Sequence, residues 1–136
     1  MGGFTWDSIA TDDYLGIATG YDASLDCILA YVRGFRGPGR DQISWGIILE
    51  EFLSCGSDLI VFDVREATYP ATNEGLAATF QEMAADLPPA RPAVLRNHDQ
   101  QEAMEVACAA ANAAEHAFRH STSETELLAR AHFRST

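Results

Sequence analysis

Apolar residues along this chain change period several times, and each change predicts an element. Leu59, Ile60, Val61, Phe62 and Val64 form a nearly continuous apolar run broken only by Asp63. So short and apolar a run suits a central strand buried on both faces. Polar and turn-forming residues then take over: Asp63, Arg65, Glu66, Thr68, Pro70, Thr72 and Asn73. Leu76, Phe80, Met83 and Leu87 recur at helical spacing, which predicts a helix packed back on that strand. Pro88 and Pro89 close it.

Upstream, residues 14–21 predict a strand with Leu15, Ile17 and Thr19 on one face. A turn at Asp22-Ala23-Ser24 leads into a second strand over 26–33, and so short a connection makes the pair an antiparallel hairpin. Residues 34–40 are a glycine-rich loop without the pattern of a phosphate loop. Asp41 is the expected cap of a helix running to about Cys55, with Ile43, Ile47, Ile48, Phe52 and Cys55 as its apolar stripe and Trp45 and Leu49 alongside. Gly56 ends it.

Downstream, Ala93-Val94-Leu95 reads as a short buried strand, and Asn97-His98-Asp99 as a loop from which Asp99 caps a helix through about Asn112. That helix packs through Ala103, Met104, Ala107, Cys108 and Ala111. Residues 115–120 predict an outer strand that buries Ala117 by alternation or Phe118 by size. Ser123 and Glu126 form a capping box for a last helix with Leu127, Leu128 and Ala131 on its apolar side. The order is β-β-α-β-α-β-α-β-α, an α/β fold with a mixed sheet of about five strands, an opening hairpin and helices packed on it. Residues 14–136 make one domain. Residues 1–13 read as an arm that packs Phe4 or Trp6 on the domain or on a second subunit, a possible homodimer contact.

Composition narrows the partners. Nine Lys and Arg stand against 20 Asp and Glu, a formal charge of −11. So negative a surface argues against nucleic acid and against anionic membranes. No apolar run is long enough for a transmembrane helix, and the first ten residues lack a basic signal-peptide region, so the expected location is cytoplasmic. Cys27, Cys55 and Cys108 are odd in number and widely spaced, which reads as reduced core thiols.

The strand order and the strand-to-helix loop resemble the STAS, or SpoIIAA-like, superfamily over roughly residues 15–133. Three places carry the likeness: Tyr21-Asp22 before an apolar second strand, Ile60-Val61-Phe62-Asp63-Val64 before its polar loop, and Ala117-Phe118-Arg119-His120 running into 124–131. Anti-sigma factor antagonists of this family carry a D-S-S-G loop whose first Ser is phosphorylated. The resemblance places Thr72 on that Ser, with Ala71, Asn73 and Glu74 departing from the motif. SpoIIAA-like proteins outside the antagonist group lack the motif as well, and for them the resemblance implies an apolar-ligand role.

Candidate sites are few. Thr72 precedes a helix N-terminus that would welcome a phosphate, and a plain helix cap is the simpler role for it. Asp63, Arg65, Asn97 and His98 follow two adjacent parallel strands, where open α/β sheets bind ligands; solvated loop residues with a local Arg65–Asp pair are the alternative. His116 and His120 stand ~13 Å apart on a strand, too far to share one metal ion, so no metal and no cofactor are expected. Ser54, Ser57 and Cys55 lack a motif linking them to a His. Phe4, Trp6, Trp45, Phe52, Phe80 and Met83 fill a core or, in part, line a pocket between helices and sheet. The expectation is a non-enzymatic regulatory or protein-interaction domain acting through residues 65–73 and the helix after them. The alternative is a small carrier of an apolar or lipid-like ligand, and a hydrolase would need a nucleophile within reach of His98 or His120.

Overall fold

Six strands pair in the order in which the chain makes them: β1 (Ser8–Asp12), β2 (Ile17–Asp22), β3 (Cys27–Phe35), β4 (Leu59–Thr68), β5 (Arg91–Leu95) and β6 (Arg119–Ser121). The computed structural model describes residues 8–12, 16–23, 26–36, 38–69, 72–88, 90–112, 118–123 and 125–126, with the backbone alone at 8–12 and 38–42. β1, β2 and β3 are antiparallel neighbours, and β3 to β6 run parallel. Three helices connect the parallel strands: α1 (Pro38–Cys55), α2 (Asn73–Asp86) and α3 (Gln101–Asn112). Each crossover moves one strand over in the same direction, and crossovers of one hand then keep their helices on one face. None of the described helices is long and apolar enough to cross a membrane.

The central strand is buried on both faces, as its apolar run requires. Toward the helices, Ile60, Phe62 and Val64 join Ile28, Ala30, Val32 and Val94 in one core with Trp45, Ile48 and Phe52 of α1, Leu76 and Phe80 of α2, and Met104 and Ala107 of α3. Leu59 and Val61 point the other way, beside Cys27, Leu29, Ala93 and Leu95, and none of these six is more than 5% exposed. Small residues let α3 approach closely: Ala107 and Ala111 are fully buried.

Several elements differ from the sequence reading. Residues 8–12, read as part of an arm, form β1 and pair along β2 from Ser8↔Tyr21 to Asp12↔Ile17, which makes the sheet six-stranded. Phe4 and Trp6 lie outside the described residues. α1 begins at Pro38 rather than Asp41; a proline at the first helical position loses no hydrogen bond. Its buried side is Ser44, Trp45, Ile48 and Phe52, which carries Ile43 round to solvent, 60% exposed. Asn97, not Asp99, caps the turn before α3, because Gln100 rather than a residue further on completes the box with it. The described part of the last strand is β6, with Phe118 buried just before it, while Ala117 and His116 lie outside the described residues. Glu126 N–H donates to Ser123 Oγ at 3.2 Å, as the capping motif requires, and Leu127, Leu128 and Ala131 lie outside the described residues.

β4 holds the largest local correction. It continues to Thr68, so Arg65, Glu66 and Thr68 belong to the strand and not to a loop. The register explains how a polar stretch remains in the sheet. Tyr31 pairs with Asp63 and Arg33 with Glu66, so β4 spends one residue more than β3 over the same span. That bulge reverses the alternation. Without it Glu66 and Thr68 would follow Val64 into the helix-side core; with it Ala67 and Tyr69 do so, and Glu66 and Thr68 stay exposed.

Candidate functional site

The carboxyl rim of the sheet is built around the β4 bulge. Strand pairing between β4 and β5 ends at Asp63↔Leu95, which leaves the carbonyls beyond Asp63 without a strand partner on that side. Side chains of the next turn supply one. Gln100 Nε2 donates to the Val64 and Ala67 carbonyls at 2.7 and 3.0 Å, and Asn97 Nδ2 donates to the Arg65 carbonyl at 2.8 Å. Asn97 and Gln100 also cap each other, Asn97 N–H to Gln100 Oε1 and Gln100 N–H to Asn97 Oδ1.

The predicted site residues therefore divide. Asp63 is fully buried and takes the Arg65 guanidinium on both oxygens, at 2.7 and 3.0 Å, with the Arg65 N–H as a third donor. Arg65 itself is about one-third exposed. Asn97 holds the bulge, and His98 is exposed beside it. Thr72 caps α2, its Oγ1 accepting from Gly75 N–H at 3.1 Å, and remains exposed; Asn73 is the first helical residue. His120 is held in β6, where its Nδ1 accepts from Arg96 Nε at 2.9 Å; burial and the neighbouring guanidinium lower its pKa. No group of three or more metal-binding side chains occurs among the described residues.

A cavity opens between the sheet, α1 and α2. It measures about 40 Å³ and is lined by Val32, Arg36, Ser44, Trp45, Ile48, Phe62, Val64, Tyr69, Thr79, Phe80 and Met83. Trp45, Phe80 and Met83 were among the aromatic and apolar residues that the sequence offered for such a pocket. The β4 bulge shapes it, since Val64 and Tyr69 both reach it only because the alternation shifts between them.

Arg36, Ser44, Trp45, Tyr69 and Thr79 bring polar atoms into this apolar wall. Arg36 is 2% exposed; its Nη1 donates to the Arg33 carbonyl at 3.0 Å and its Nη2 to Ser44 Oγ at 2.7 Å. Gly16 makes room for it. A Cβ there would stand 2.6 Å from the Arg33 carbonyl oxygen and 3.2 Å from Arg36 Nη1, and the residue holds φ +69°, which glycine alone adopts at little cost. Trp45 is 8% exposed and tilts against Phe62 at 6.1 Å between ring centroids. Its indole Nε1–H is buried without a hydrogen-bond partner among the described residues.

Arg36 and Ser44 were not anticipated. Arg36 sits in the glycine-rich stretch over residues 34–40 that reads as a loop, and nothing in its neighbours signals burial. No family model, curated protein or solved structure matches this chain.

Proposed function

We propose that the chain is a non-catalytic binding module of STAS-like architecture whose ligand is a small amphipathic molecule held between α1, α2 and the sheet. The observation that carries this reading is the Trp45 indole N–H. A buried donor left unpaired costs about 1–3 kcal/mol, and close-packed cores rarely keep one. A ligand acceptor in the adjoining cavity would recover that cost. The size of the cavity limits the ligand. A water needs roughly 10–15 Å³ of such volume, so about 40 Å³ takes a few heavy atoms. Pockets for drug-sized molecules run to about 300–1,000 Å³. A full lipid chain is thus a poor fit, and the part-exposed Tyr69, Thr79 and Met83 mark where a longer tail would leave.

The STAS-like part rests on the antiparallel start followed by parallel βα units in sequential order. The non-catalytic part is supported by hydroxyls spent on the backbone: Ser57 Oγ donates to the Asp26 carbonyl and Ser54 Oγ to that of Glu51. Native mass spectrometry of freshly purified protein tests the reading. A retained small organic molecule, or one taken up from a panel of short acids and alcohols, supports it. A bare protein that takes up none of the panel overturns it.

One observation favours a second reading, a protein-interaction surface at the rim. Phe35 ends β3 beside Thr68 and is 62% exposed, the most exposed large apolar side chain among the described residues. If the partner is a second copy, sedimentation should show a dimer that Phe35→Ser reduces to a monomer. A wild-type monomer would remove the homodimer form of this reading.

A further inference from the structure

We infer that the ligand of this cavity is a compact neutral carbonyl compound, a short ketone or aldehyde, whose oxygen takes the Trp45 Nε1–H; the inference rests on the cavity being a ligand site at all. The unanswered group is neutral. Among the described residues, the indole nitrogen is the one fully buried side-chain N or O atom without a hydrogen-bond partner. Such a nitrogen only donates. Ser44 Oγ accepts from Arg36, which leaves its own proton to donate. Arg36 is not a free charge, because its guanidinium is already bonded within the protein. Thr79 gives its proton to the Gly75 carbonyl at 3.1 Å and is part-exposed, so water can serve its lone pairs.

The wall therefore calls for an oxygen with two lone pairs and no charge. A carbonyl oxygen is that group, and it brings no proton of its own to place. An alcohol accepts from the same donors but carries a proton that must also find an acceptor. A water carries two, into a wall otherwise made of Val32, Ile48, Phe62, Val64 and Phe80. A carboxylate must surrender the hydration of a full charge, and a neutral indole donor does not repay that. The chain's net charge of −11 opposes an anion as well. Size sets the rest. At roughly 10–15 Å³ for each water, about 40 Å³ holds about three or four heavy atoms, a C=O with one small carbon on either side.

NMR titration of the full chain with acetone, 2-propanol and acetate, read from the ligand methyl signals, tests this. The three are alike in size and differ in the oxygen they offer. So small a ligand binds at best with a Kd of about tens of micromolar, within reach of such a titration. Acetone should bind about threefold tighter than 2-propanol, a ratio within the worth of one neutral hydrogen bond. It should bind at least about tenfold tighter than acetate, whose charge is not repaid. Trp45→Phe keeps the ring and removes the N–H, and should weaken acetone about fivefold. Alcohol or acid binding as tightly as acetone, or acetone binding unchanged in Trp45→Phe, overturns the carbonyl assignment and leaves the cavity a ligand site. Binding of none of the three overturns both. Should Trp45→Phe not fold, the ratios on the wild-type chain still decide.

Discussion

Gln100 Nε2 donates to the Val64 carbonyl at 2.7 Å, and through that bond the turn after β5 holds the bulge in β4. The same amide reaches the Ala67 carbonyl at 3.0 Å, so one side chain replaces the strand that β4 lacks beyond Asp63. Gln100→Ala leaves both carbonyls short of a buried donor. The expected loss is about 1–3 kcal/mol in urea-denaturation stability, because the desolvation of an unmet acceptor is not refunded. A loss no larger than at an exposed control such as Gln101 would show that solvent replaces the amide.

Asp63 and Arg65 should respond unequally to substitution. Arg65→Leu strands a fully buried carboxylate, and removal of one member of a buried pair costs about 3–5 kcal/mol. Asp63→Leu leaves a guanidinium that is already one-third exposed and can turn to water, so its cost should be clearly smaller. Denaturation midpoints of the two variants measure the difference. Equal losses would mean that the pair behaves as a surface contact.

Stability should fall in two separate acid windows. His120 has its pKa lowered from the ordinary 6.5 by burial and then by Arg96, so the folded state disfavours its charged form. Its contribution is present above that value and is lost as pH falls through the lower folded value. Asp58 is lowered from 3.8 by the Arg91 hydrogen bonds, and its contribution is lost only further down, below that figure. Thermal unfolding from pH 7 downward should show both steps. His120→Gln should remove the upper one; its persistence would assign that step elsewhere.

The thiols should separate by accessibility. Burial pushes Cys27 and Cys108 up to about 12, whereas Cys55 is half-buried at the end of α1. A chromogenic disulfide reagent at neutral pH should find one thiol reacting readily in the native protein, and all three after unfolding. Fast reaction at Cys27 would contradict the burial of the second sheet face.

Much of this fold is legible in the sequence, for a definite reason. An apolar run such as Leu59 to Val64 has no other place than a strand covered twice, and the spacing of Leu76 and Phe80 fixes the helix that follows. The bulge is illegible because an extra residue in a strand leaves no mark in composition. It alone decides that Arg65 stays in the sheet and that Tyr69 turns toward the cavity. The Asn97–Gln100 box was readable as an N-x-x-Q capping pattern, yet Asp99 competes with it as a cap. Arg36 gave no such sign. Its burial depends on Gly16, twenty residues earlier, lacking a Cβ.

The most direct test is the indole N–H resonance of Trp45, followed by NMR as the panel of short acids and alcohols is added, with Trp6→Phe to assign the two indoles. If a ligand acceptor enters the cavity, that proton should move downfield and saturate with the bound fraction. A Trp45 resonance that stays in place with every member of the panel would contradict the account.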